Sequence, residues 1–339
     1  MNSDQETAFS DIRDVLANYD LGELTSIERN ERGYINTSYG IETVFDGERK
    51  RYFFRQYKSG IKETEIQFEH SVITHLLAKN FTLVARVFKT MGGLTYYKQI
   101  VGEKSDEPTF FAIFEFLKGE DKYDCVDPHL SLQEIKNSAV VQAKFHHAVE
   151  DLTPRGQRFE PRILDLIPEI PTKIHQNLQS PKGTIFDDYL LETENFIGKA
   201  CSEAIQYFQE VDTTKWKEIL IHCDFHPGNL KFEGEDIVGL FDFDWSKVDL
   251  RSFDVALALW YFFADWRGDR DGVLRVDEAS IYMQEYQSAL QNFPNLDPLS
   301  QDELDHFPML VNLGSLYVLN WAVTDFYAND VDPELYLKW

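Results

Sequence analysis

The chain has 339 residues, 43% apolar and 14% aromatic, which points to two domains or lobes and excludes a disordered chain. Its 58 acidic against 33 basic residues leave a net charge of −25, which speaks against nucleic acid or an anionic membrane surface as partner. Cys125, Cys201 and Cys223 build neither a disulfide framework nor a CxxC knuckle. With no basic-apolar leader and no apolar run of about 18 residues, a cytoplasmic protein is expected.

In chain order, an amphipathic helix is predicted over roughly 5–18. "LTSIERN", "TSYGIETVF" and "RYFFRQY" follow as β-rich segments, and the turn residues of "ERGYIN" and "DGERK" between them predict antiparallel hairpins. Helical spacing of Ile66, Phe68, Val72, Ile73, Leu76 and Leu77 predicts a helix over "KETEIQFEHSVITHLLAKNF". "LVARVFKT", "LTYYKQIV" and "TFFAIFEFL" read as further strands, with "MGG" and "GEKSDEP" as turns. From about residue 130 the pattern becomes helical: 131–150, 184–209, 252–265, 276–291 and 308–327. The expected architecture is α+β. A small antiparallel β lobe with one inserted helix spans 1–117, and a larger, mainly helical lobe spans 118–339.

One stretch interrupts the helices: "LIHCDFHPGNLKFEGEDIVGLFDFDW", Leu220 to Trp245. "EILI" and "NLKF" read as strands flanking the loop "HCDFHPG", and "DIVGLFDFD" as a strand returning after a turn at Gly234. That geometry gathers Asp224, Asn229 and Asp242 at one end of a small sheet. Phosphoryl transfer from a nucleotide needs such a set: one carboxylate to orient and deprotonate a hydroxyl, an amide oxygen and a second carboxylate to hold Mg2+. Hard oxygen ligands suit Mg2+ rather than zinc. Asp224 and Asn229 also keep the spacing of H-R-D-x-x-x-x-N in protein kinases, with "DFD" where those have DFG.

"HCDFHPGN…LFDFDW" resembles the aminoglycoside phosphotransferase and type II homoserine kinase group, small-molecule kinases with a bilobal protein-kinase-like fold. "GYINTSYGIET", "RYFFRQY" and "EIQFEHSVITHLLAKNF" resemble the small-lobe segments of homoserine kinase-like members, so the likeness covers roughly 25–265. The resemblance implies ATP and Mg2+ as cofactors and a small-molecule alcohol as substrate. It makes Asp224 the catalytic base, with His222 bracing the catalytic loop and His226 beside it on the phosphate side. Asn229 and Asp242 become metal ligands, with Asp244 in support. Asp254 ties the loop to the helix beneath. Arg55, paired with Glu69, contacts the α- and β-phosphates; because "ERGYINTSYG" has only Gly33 and Gly40 and no GxGxxG, further phosphate contacts have to come from backbone N–H groups and from Asn36, Thr37 or Ser38. Adenine faces the backbone of Glu115 and Leu117. Cys223 stands where the family usually has Gly, and Arg55 where Lys or Arg occurs.

The small-lobe likeness favours a homoserine-type amino alcohol, with aminoglycoside, choline, ethanolamine or sugar kinases as alternatives. Two other classes stay open: a catalytically silent nucleotide-binding pseudokinase, and a non-haem iron site built on His222-x-Asp224 with a distant third ligand such as His306. No peptide platform follows "DFDW", because the next helix begins within ten residues.

Overall fold

The computed structural model describes residues 3–30, 35–100, 107–329 and 331–337. The chain divides into two compact units, 1–118 with 153–158, and 119–152 with 159–339. The short segment 153–158, expected within the helical lobe, therefore packs with the β-rich unit.

In the first unit, α1 (Ser3–Leu16) precedes β1 (Glu23–Asn30), β2 (Thr37–Phe45) and β3 (Glu48–Gln56). After α2 (Glu63–Ala78) come β4 (Tyr97–Gln99) and β5 (Thr109–Glu115), and the antiparallel sheet has the order β1-β2-β3-β5-β4. Asp46 and Gly47 both take positive φ, 51° and 81°, which closes β2 onto β3 in a two-residue turn whose twist suits the strands. One side of the core is built by Ile12, Val15 and Leu16 of α1 against Ile41, Phe54 and Ile113 of the sheet. The predicted helical stripe of α2 is buried through Ile66, Phe68, Val72, Ile73 and Leu76.

The strand expected over 83–90 is instead a connector. Val87 makes one isolated bridge to Phe114, fixed by Phe88 N to Ile113 O (2.8 Å) and Glu115 N to Arg86 O (2.8 Å). The edge of β5 ahead of it is already taken by β4. The strand expected at 94–101 shortens to β4. Part of the "GEKSDEP" turn, and Gly33 of the first connector, lie outside the described residues.

The segment 153–158 closes over the start of α2. Gly156 has φ +89°, and a Cβ there would sit 2.1 Å from Thr64 O. Arg155 N donates to Ser71 Oγ (2.9 Å), Gln157 N to Thr64 O (3.1 Å), and Arg158 lies over the Phe68 ring.

The second unit starts with α3 (Leu132–Ala148), opened by a capping box in which Ser131 and Glu134 exchange side-chain and backbone bonds. Two short helices not foreseen, α4 (Ile163–Leu166) and α5 (Ile170–Gln179), lead to α6 (Ile185–Gln209). Strands β6 (Glu218–Ile221), β7 (Leu230–Glu233), β8 (Asp236–Leu240) and β9 (Lys247–Leu250) precede α7 (Arg251–Phe263) and α8 (Val276–Leu290). The chain then forms α9 (Gln301–Asp305) and α10 (Phe307–Trp321), which runs on into a π-helical turn, Ala322–Phe326. Gly314 lets α10 approach α7 closely, since a Cβ there would lie 3.4 Å from Leu257 and Trp260 atoms.

The expected single small sheet is two. β6 pairs with β9 and β7 with β8, so the "HCDFHPG" loop passes from one two-stranded sheet to the other. Contrary to the sequence reading, Phe307–Phe326 is long and apolar enough by composition to cross a membrane, but 61% of its most apolar window is buried inside the protein. A core helix passes the same test.

Candidate active site

The loop after β6 is built around one buried acid. Cys223 takes φ +63°, unusual for a residue with a Cβ, and its N–H donates to Asp254 Oδ1 at 2.7 Å. Asp254, on α7, is fully buried; its Oδ2 accepts from His146 Nε2 (2.8 Å) and Gln142 Nε2 (3.2 Å) of α3. Tyr286 and Tyr282 of α8 complete the network on His146 Nδ1 (2.7 Å) and Gln142 Oε1 (2.8 Å). Burial, the largest single influence, would raise the Asp254 carboxyl, but the His146 bond, the charges of His146 and His222 and the Cys223 N–H together outweigh it and hold the acid below its ordinary range. Three helices thus fix the left-handed turn that aims the next residue.

That residue is Asp224. Its Oδ2 accepts from Asn229 Nδ2 (2.8 Å), and the same amide donates to Asp224 O (3.0 Å). His226 Nε2 lies 3.5 Å from Oδ2. Burial opposes ionisation of Asp224, yet His226, His222 and the Asn229 bond more than offset it, so the carboxyl lies below the usual carboxylate range. Its other oxygen, Oδ1, is buried without a hydrogen-bond partner.

The two histidines behave differently. His226 Nδ1 accepts the Gly228 N–H at 3.0 Å, which places the ring proton on Nε2, facing Asp224. Gly228 is required for this fold-back, because a Cβ there would stand 2.8 Å from His226 Cε1. His222 is fully buried, with Nε2 3.1 Å from Phe241 O and its ring 4.8 Å from Phe243. It clamps the loop to the end of β8. His306 lies elsewhere, with Nδ1 2.6 Å from Tyr207 Oη.

The β7–β8 hairpin, turned at Gly234 (φ +65°), returns the chain so that Phe241 N donates to Asn229 O at 3.1 Å. Asp242 follows with φ +66°, and Asp244 two residues later lies in the turn before β9. With its Nδ2 spent on Asp224, Asn229 keeps its amide oxygen for a cation; with the Asp242 carboxylate this is an all-oxygen donor set that fits a hard divalent ion. Among the described residues no group of three His, Cys, Asp or Glu forms a metal cluster.

In the first unit, Arg55 of β3 and Glu69 of α2 form a buried pair, Nη1 to Oε1 3.1 Å. The guanidinium lies over the Phe114 ring, 5.5 Å from its centroid. Behind it Tyr57 Oη donates to Glu69 Oε2 (2.8 Å), His70 Nε2 lies 2.9 Å from Tyr57 Oη, and His70 Nδ1 lies 2.8 Å from Thr95 Oγ1. With the tyrosine donating to Glu69, His70 gives its Nε2 proton to Tyr57 and accepts from Thr95. Asn36 Oδ1 accepts the Lys58 N–H (3.0 Å), Thr37 pairs with Gln56 at the end of β2, and Leu117 follows β5. Tyr57, His70, Thr95 and Gly228 were not singled out in the sequence; only the "HPG" turn carried a signal.

Burial, then the Arg55 charge, push the His70 imidazole down to about 3 from 6.5. Between those values the unfolded chain binds a proton that the folded chain refuses, so stability rises with pH and is lost on acidification. The slope from this group is about 1.4 kcal/mol per pH unit. His70→Gln is expected to be less stable at pH 7, and the gap to the parent should narrow at that rate as pH falls towards 5. Denaturant melts across this range decide it; parallel curves would refute the assignment.

A β-rich unit holding a buried Arg–Glu pair, and a helical unit whose carboxylate–amide loop is met by a carboxylate-bearing hairpin, define an ATP-dependent small-molecule kinase of protein-kinase-like fold. The family model described as the phosphotransferase enzyme family (APH) matches residues 26–290, and the chain belongs to that family. The homoserine kinase of Agrobacterium fabrum is 25% identical over 340 residues, spanning 97% of this chain and 91% of its own. An amicoumacin kinase solved in complex with AMP-PNP, Ca2+ and Ami has a TM-score of 0.66 at 14% identity, covering 98% of this chain and 92% of that one. The microcompartment-associated aminopropanol kinase gives 0.61 at 16% identity, covering 97% and 93%. These two likenesses show the fold.

Proposed function

We propose that the protein transfers the γ-phosphoryl group of ATP, with Mg2+, to the hydroxyl of a small amino alcohol of the homoserine type. The observation that carries this is the Asp224 carboxylate. One oxygen is anchored by Asn229, while Oδ1 is buried, ionised and unpartnered, ready to accept a hydroxyl proton. The curated homoserine kinases similar over nearly the whole chain support the acceptor class.

Asn229 Oδ1 and the Asp242 carboxylate, with Asp244 nearby in sequence, would hold the metal. Bound Mg2+ supplies positive charge opposite the phosphate oxygens. Arg55, braced by Glu69, addresses the α- and β-phosphates as a fork rather than a point charge, with Asn36 and Thr37 beside them. The Glu115 N–H already serves Arg86 O, so its carbonyl and the Leu117 N–H are the groups left to read adenine. His226 steadies Asp224 in the acceptor-facing rotamer and His222 braces the loop. Residues 1–117 act as the nucleotide-binding lobe and 118–339 as the catalytic and substrate lobe.

The net charge of −25 favours an acceptor bearing an amine. ADP release measured with L-homoserine, ethanolamine, choline, an aminoglycoside and a neutral sugar tests this. An amine-bearing alcohol should be fastest, and its kcat/KM should fall between about 0.01 M and 0.15 M salt as the Debye length shrinks from about 30 to 8 Å. A neutral sugar that is best at every salt concentration would overturn the reading.

A further inference from the structure

Buried tyrosines and tryptophans ordinarily find a partner for their polar ends. Most do so in the helical unit. Trp216, 4% exposed, donates Nε1 to Asp302 Oδ2 at 2.6 Å, and the hydroxyls of Tyr282, Tyr286 and Tyr317 reach Gln142, His146 and Glu160. Around Asp224 the pattern breaks. Tyr261 Oη, Trp266 Nε1 and Trp321 Nε1 are all buried without a hydrogen-bond partner, as is Asp224 Oδ1 itself.

These atoms belong to one aromatic cluster. The Tyr261 ring lies 5.0 Å from His226, 6.4 Å from Trp266 and 6.5 Å from Trp321, and His226 Nε2 is 3.5 Å from Asp224. Tyr261 comes from α7, Trp266 from just beyond it, and Trp321 from the last residue of α10. Trp321 is stacked on Trp245 at 4.8 Å and braced by Tyr317 at 5.2 Å. It stands directly before the π-helical turn Ala322–Phe326, a backbone irregularity that concentrates at functional sites. Burial, and then the Asp224 charge and the approach of the hydroxyl to that carboxylate, keep the Tyr261 phenol protonated, so its O–H is directed at Asp224.

We propose that Trp266 and Trp321 are specificity-determining residues that read an anionic oxygen of the acceptor, so that the substrate is an alcohol that also carries a carboxylate. The complement is two indole N–H donors in the aromatic cluster that Tyr261 and His226 join to Asp224, and one acceptor, Asp224 Oδ1. A hydroxyl satisfies the carboxylate, and a carboxylate on the same small molecule satisfies the donors. An alkylammonium alcohol without a carboxylate offers the indole N–H groups nothing to bond, although its cation can lie over the ring faces. The proposal rests on the reading that Asp224 faces the acceptor hydroxyl, and adds what faces the rest of the molecule.

The test compares kcat/KM for two acceptor pairs: L-homoserine against homoserinol, its alcohol counterpart, and 4-hydroxybutyrate against 1,4-butanediol. The parent enzyme should favour the carboxylate-bearing member of each pair. Trp321→Phe and Trp266→Phe keep the ring and remove only the N–H, and each should shrink that preference about tenfold to a hundredfold, the scale of one hydrogen bond to a charged group. Loss of both alcohols in equal proportion, or a parent preference for the carboxylate-free member, overturns the proposal. So does failure of both carboxylate-bearing alcohols to turn over or to bind in calorimetry. Asp224→Asn serves as the separate control: abolished turnover alongside unaltered preferences in the tryptophan variants refutes this proposal alone, whereas normal turnover in Asp224→Asn refutes the function on which it stands.

Discussion

Replacing Asp224 by Asn should lower kcat by roughly 10²–10⁴ while leaving MgATP affinity nearly unchanged. The substitution is nearly isosteric, and the backbone at 224 is set by neighbours: the Cys223 N–H on Asp254 and the Asn229 amide on Asp224 O. The Asn229 Nδ2 that now bonds Asp224 Oδ2 at 2.8 Å would require the new amide to present its oxygen there. Its NH2 group is then turned to where Oδ1 stands, offering a donor to a hydroxyl that has a proton to lose. Positioning survives and the proton acceptor does not. Steady-state kinetics with a separate MgATP titration measures both halves. Normal turnover removes Asp224 from the chemistry, and weakened MgATP binding with normal turnover reassigns it to the nucleotide.

Asp242→Asn should make nucleotide binding insensitive to Mg2+, with MgATP affinity weakened by at least about 10²-fold, beyond the range usual for losing an outer-shell partner. Of the two ligands proposed, Asn229 is neutral, so Asp242 supplies the charge opposite the cation. The choice of Asn matters. Asp242 sits at φ +66°, where Asn is at ease, whereas alanine would add about 1–2 kcal/mol of backbone strain and confuse a metal effect with a folding effect. Calorimetric titration of ATP with and without Mg2+ reads the result. Equal affinity under both conditions in the parent enzyme would discard the metal assignment outright.

The catalytic loop could be read from the chain because its chemistry is local. Asp224, His226, Asn229 and Asp242 fall within nineteen residues, and the turn between β7 and β8 is marked by Gly234. The Arg55–Glu69 pair was expected from the family resemblance, and the two side chains meet at 3.1 Å. What resisted reading was decided by tertiary competition. "LVARVFKT" has strand composition, but β4 takes the edge it would need, leaving one bridge at Val87. Pro168 and Pro171 broke the apparent period of "IPEIPTKIHQ", although both occupy first-turn positions that proline tolerates, so helix formed where none was expected. The four residues of β9 were too few and too polar to announce a strand. The polar groups around Tyr261 are gathered from positions 224, 261, 266 and 321, and no sequence period relates them.

The clasp that 153–158 makes on α2 bears on how such a protein can be inherited. A β-rich unit encoded by residues 1–118 alone would resemble a cassette, free to be exchanged between relatives by a crossover at its end. Here it is completed by a hexapeptide encoded after α3, whose Gly156 tolerates no side chain against Thr64 and whose Arg155 is docked on Ser71. A chimera joined at 118 would import a small lobe and keep a foreign clasp. Residues 63–71 and 153–158 therefore have to be exchanged together in any such chimera, since a change on one side restricts what the other can accept.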